Sequence, residues 1–214
     1  MSRFVSCLLF AVSVCIAVPL FGQPAEVKQR SAKRGAMQKL LDQLKPFDPP
    51  ADAAKLPAET AELFAQMKAA TAANAKVYEP LSANQLNFKP SDGTHTARWN
   101  AEHISASQLK FFSQIYHEID PNVPVIDLSP RQMPGDYQAA HPKWDGKREA
   151  KRMIAVDDFC QRYAYLLADK DLDAKPPVTF WPSYRGMLTG LAKHSGEHTA
   201  NVQKKFQADD WPAQ

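Results

Sequence analysis

His194 and His198 are separated by four residues. At about 100° per residue, such a pair lies some 40° apart around a helix and one turn apart along it. Two imidazoles in that arrangement can reach a single metal ion. Both stand inside an apolar stripe, Met187, Leu191, His194, His198, Val202 and Phe206. Burying two imidazoles in such a stripe without a partner is costly, and a metal removes the cost by taking a lone pair from each. His103 shares a stripe with Ser107, Phe111 and Ile115 and is the expected third ligand. Three neutral imidazoles with an open position describe a catalytic site rather than a closed structural one. Zinc is the default ion for imidazole nitrogens, with nickel, manganese or iron as alternatives.

HSGEH, residues 194–198, also fits H-x-x-E-H, the inverted zinc-peptidase motif, with Glu197 in the place of the general base. That chemistry needs a further acidic ligand far downstream on another helix. Only Asp209 and Asp210 follow, close behind the helix, so Glu197 is read as a solvated or salt-bridged residue. Asn74 is the polar member of another apolar stripe, a core group with a partner or a residue facing a site. Cys160 occupies a core position and is read as a small buried hydrophobe.

These residues need helices to hold them. Steps of three and four predict helices over 57–81, 97–119, 146–168 and 183–206. Their stripes are Leu63, Met67, Ala70, Asn74, Val77 and Leu81 in the first, and Met153, Val156, Cys160, Tyr163 and Leu167 in the third. Residues 120–145 form a long connection with five prolines and no helical period; a loop of that length is commonly functional or a lid. No run of alternating strands occurs. Four amphipathic helices pack naturally as an all-α four-helix bundle over 56–208, followed by a tail, 209–214.

The chain has 214 residues and a formal net charge of +3. This length buries a core, and so small a charge excludes a dedicated nucleic-acid binder with a basic stripe. No glycine-rich nucleotide loop is present. Residues 4–21 are almost wholly apolar after Arg3, which predicts a signal peptide over 1–22 and export to a periplasmic or extracellular space. An N-terminal membrane anchor is the alternative; after cleavage no stable membrane insertion is expected. Cleavage removes Cys7 and Cys15 and leaves Cys160 alone, so no internal disulfide can form. Residues 23–55 form a basic, then proline-rich lead-in, with a short helix over about 36–45.

Two stretches resemble the DinB-like (YfiT-like) four-helix-bundle proteins over roughly 57–208. PLSANQLNFKPSDGTHTARWNAEHI is similar to the family's link between its first two helices, with an L-x-x-x-Q-L turn and a W-S-x-x-E-x-x-x-H pattern. His103 falls on the metal-ligand histidine of that pattern. His95 stands where the family usually has Trp, and Trp99 where it often has Glu. HSGEHTANVQKKF resembles the C-terminal helix, whose H-x-x-x-H supplies two ligands, here His194 and His198. The resemblance implies a bundle of this type with a divalent metal on three histidines. Family members include metal-dependent thiol transferases and an isomerase.

The expected function is a metal-dependent enzyme acting on a small molecule, by hydrolysis or thiol transfer. Export argues against the thiol half, because small thiols are kept reduced in the cytosol. A non-catalytic exported protein that binds a metal or ligand is the alternative. A homodimer is one arrangement open to it.

Overall fold

The computed structural model describes residues 50–51, 53–127 and 137–213. The expected signal peptide and the short helix in the lead-in lie outside the described residues, as does 128–136 of the long connection. Among the described residues the fold is all-helical. The helices are α1 (Ala58–Tyr78), α2 (Ala83–Asn87), α3 (Ala97–Ile119), α4 (Gly146–Arg162) and α5 (Tyr184–Lys205), with a 3₁₀ turn at Ala164–Leu167. None is long and apolar enough to cross a membrane.

Local chemistry sets the helix starts. Thr96, Asp145 and Ser183 cap α3, α4 and α5, each side chain accepting a backbone N–H three residues on. Ser82 and Gln85 form a reciprocal capping box at α2, a short helix that periodicity alone does not announce. The third expected helix, 146–168, stops at Arg162 and tightens into the 3₁₀ turn.

Helices α1 and α3 each pack against both α4 and α5, so α1 and α3 stand at opposite corners of the bundle. This explains a shift in α1. Met67, Asn74 and Leu81 of its expected stripe are buried, whereas Leu63, Ala70 and Val77 are only partly covered. Phe64, Thr71 and Tyr78 take inner positions instead, because a helix facing two neighbours buries a wider arc than one stripe.

The core falls into two clusters. One gathers Phe64, Met67, Leu109, Phe112, Tyr116, Phe159 and Leu191. The other gathers Tyr78, Leu86, Ile104, Met153 and Val202. Each fully buried side chain of this size contributes about 1.5–3 kcal/mol. Along α5 the boundary between the clusters falls between Leu191 and Val202, and along α3 between Ile104 and Ala106. Polar side chains occupy that level. Asn74 donates to the Ser195 hydroxyl there, a buried pair that satisfies both helices. Cys160 is fully buried, and burial pushes its thiol well above the ordinary value.

The ends of the long connection are tied to α3. Ser113 accepts from the Ile126 backbone at 2.8 Å, and His117 Nδ1 donates to the Val123 carbonyl at 2.8 Å. Further along, the Ala140 backbone donates to Glu102 at 3.1 Å. Arg98 donates to the Trp144 and Pro142 carbonyls at 2.6 and 3.2 Å. His141 stacks on Trp144 with ring centres 3.9 Å apart.

Gly146 opens α4 against the end of α1, its N–H donating to the Leu81 carbonyl at 2.7 Å. A Cβ there would lie 1.9 Å from the Tyr78 carbonyl oxygen. Gly146→Ala should therefore force α4 off α1 and cost about 1–3 kcal/mol, read as a lower urea midpoint. An unchanged midpoint would show that this helix contact is not tight.

Candidate metal centre

The structure brings His103, His194 and His198 together. One ligand-capable nitrogen from each lies within 4.8 Å of the others. His194 and His198 come from adjacent turns of α5, and His103 faces them from α3. His103 Nε2 and His194 Nε2 are 3.2 Å apart. Two nitrogens bound at about 2.0–2.1 Å to a tetrahedral zinc stand roughly 3.3 Å apart, so this pair suits a shared ion.

Asn100, one turn before His103, orients the third imidazole. Its Nδ2 donates to the Thr96 carbonyl at 2.8 Å. This turns Oδ1 toward His198, which donates from Nδ1 at 2.7 Å. With its proton on Nδ1, His198 presents the Nε2 lone pair, the tautomer a metal requires. No metal-ligand motif marks Asn100. Its signal was only its position three residues before His103, which puts both on one face of α3.

The environment disfavours the charged forms of the two α5 rings. Burial, then the neighbouring His194, His103 and His95, pull His198 down to about 3. Burial also lowers His194, with Glu197 opposing. A metal competes with protons for these lone pairs, so rings already reluctant to protonate suit it. Glu197 itself is exposed and lies 3.8 Å from Lys193 on the outer face of α5, the salt-bridged role expected for it.

Aromatic stacking fixes the α3 side. Trp99 lies parallel between His95 and His103, with ring centres 3.5 and 4.5 Å away. Both positions depart from the family pattern, and together they build a rigid His–Trp–His pile. Burial and Lys205 lower His95, whose Nδ1 has no hydrogen-bond partner among the described residues.

Two pockets reach the cluster. One, of about 450 Å³, touches His198 and Asn100 and is rimmed by His95, Lys204 and Lys205. The other, of about 400 Å³, touches His103 and His194 and is walled by Phe111, Phe180 and Trp181. None of residues 120–127 or 137–145 lines either pocket.

A three-histidine cluster at mid-bundle, between α3 and α5, defines a helical-bundle protein with a candidate metal centre. The family model for the DinB superfamily matches residues 66–202, and the chain belongs to that superfamily. No curated protein and no solved structure matches it.

The orienting role of Asn100 has a measurable consequence. Asn100→Ala frees the His198 tautomer and should weaken metal binding by about 10–100-fold. Competition against a chromophoric chelator measures this; an unchanged affinity would remove Asn100 from the centre.

Proposed function

We propose that this protein is an exported metalloenzyme acting on a small molecule, with one divalent ion held by His103, His194 and His198. The observation that carries the reading is the convergence of three ligand nitrogens within 4.8 Å at a place that two pockets reach. Zinc is the first expectation, and nickel, manganese or iron suit the same imidazoles. When bound, such an ion supplies a Lewis acid and lowers the pKa of a water or thiol beside it. The chain's own contribution is to disfavour the charged forms of His194 and His198 by burial, to orient His198 through Asn100 and to stack Trp99 on His103. Hydrolysis and thiol transfer both fit this chemistry. Hydrolysis is favoured by export, which takes the protein away from the reduced thiol pool.

Elemental analysis of the purified protein tests the first part. About one divalent ion per chain is expected, and a His103, His194 and His198 triple alanine variant should hold none. Equal metal in both would overturn the reading. Turnover of small esters, amides and thiol conjugates by the loaded protein then separates an enzyme from a non-catalytic binding protein.

Export rests on the apolar run after Arg3 and has its own test. A reporter active only outside the cytosol, fused after residue 30, should be active. Cytosolic retention would overturn export and restore thiol transfer as the leading reaction.

A further inference from the structure

Five of the side chains that line the more apolar of the two pockets carry the argument. His103 and His194 close one end, and Phe111, Phe180 and Trp181 form a wall. The three rings of the wall touch one another. Phe111 meets Phe180 edge-on at 5.3 Å and Trp181 at 6.0 Å, while Phe180 lies along Trp181 at 5.1 Å. A glycine seats the indole: a Cβ at Gly190 would fall 2.5 Å from the Trp181 ring.

The rim is built at a cost to the free protein. Among the described residues four large apolar side chains are exposed, and two of them, Val178 and Phe180, sit together here. Phe180 is 73% exposed. Val178 is held at φ 52°, a left-handed conformation that β-branched residues rarely adopt. Exposed rings and backbone strain gathered at one pocket mouth mark a ligand site. The volume of about 400 Å³ falls in the range of small-molecule sites.

Charge argues for a neutral body in this pocket. Its one lysine, Lys110, faces Asp127 at 3.9 Å, so the ammonium already has a counter-charge. The pocket on the other side of the cluster is the more charged of the two, lined by Lys204, Lys205 and Asp92.

We propose that the Phe111–Phe180–Trp181 pocket binds the body of the substrate, and that the substrate is a small molecule with a neutral aromatic or similarly bulky apolar group. Its polar, reacting end lies at His103 and His194. This rests on the metal-site reading above, and the test separates the two.

The test compares benzohydroxamate with acetohydroxamate on the zinc-loaded protein by competition calorimetry. Both carry the same metal-binding head, and only the first carries a ring. Benzohydroxamate should bind at least about tenfold more tightly, the burial of its ring supplying the difference. Phe180→Ala removes part of the wall, and Gly190→Ala displaces Trp181 while improving helix propensity. Each should reduce the ratio to below about threefold. Ile154→Ala, which removes an exposed apolar side chain elsewhere on α4, should leave it unchanged. Equal affinities in the wild type, or a ratio that survives both wall variants, would overturn the pocket assignment and leave the metal site standing. If neither hydroxamate binds, p-cresol is titrated in chelator and the Trp181 indole N–H is followed by NMR, assigned with Trp181→Phe. A saturable shift that disappears in Phe180→Ala supports the pocket without the metal; no shift overturns it.

Discussion

The protein should melt at a higher temperature with zinc than with chelator at about pH 7.5, and the difference should vanish in His198→Ala. Free metal about 100-fold above the dissociation constant stabilises by near 3 kcal/mol, or roughly 6–12 °C for a domain of this size. Acid should act on both forms. His198 titrates near 3 in the folded chain and near the ordinary value of about 6.5 when unfolded. Between those values the unfolded chain binds more protons, so stability falls as pH drops through the window from about 6.5 to 3. Protons also displace the ion, so the metal-dependent increment should shrink at about pH 5.5 compared with pH 7.5. His194→Leu replaces a ring whose burial disfavours its charged form and should stabilise the chelated protein while abolishing the metal increment. A wild-type melting temperature indifferent to both metal and chelator at the higher pH would make the three histidines ordinary core residues.

Glu149→Ala should lower stability by about 3–5 kcal/mol, the cost of leaving a buried ion pair half-made. Arg98 and Glu149 are both fully buried and 2.7 Å apart. Arg152 reaches the other Glu149 oxygen at 2.6 Å and lies 3.7 Å from Glu102. Burial pushes the Glu149 carboxyl up from its ordinary value, while Arg152 and Arg98 pull it down. Arg98 also donates to Asn87 at 2.6 Å, so one side chain of α3 joins α2, α4 and the loop at 142–144. The network holds the same turns of α3 that carry Asn100 and His103. Glu102→Ala should cost less, because its contact with Arg152 is longer. Urea unfolding measures both, and a loss below about 1 kcal/mol for Glu149→Ala would show that these charges are not what holds α3 in place.

How much of this was legible in the sequence varies with the range of the interaction. The 97–119 helix was readable because its stripe and its N-terminal cap lie within one stretch of chain. The α5 histidine pair was readable for the same reason: a spacing of four places both rings on one face wherever the helix packs. The Ser82–Gln85 capping box was equally local and equally available, but its helix is too short for periodicity to register. Asn74 was visible as a polar residue in an apolar stripe, yet its partner Ser195 lies on α5, and no spacing rule connects them.

The sequence by itself determined the four long helices, that His194 and His198 share one helix face, and, through its motifs, that His103 is the residue to place beside them. Those are properties of a 3.6-residue repeat, of caps and of residue type. Tertiary structure decided the rest. It set the 3.2 Å approach of His103 to His194, the His198 tautomer imposed by Asn100, the Arg98–Glu149 clamp and the wall of rings from 111, 180 and 181. Each joins residues far apart in the chain, and each depends on how α3 rotates and slides against α4, α5 or the segment that leads into α5. Rotating α3 by one residue, about 100°, would preserve every local pattern and separate all of these partners.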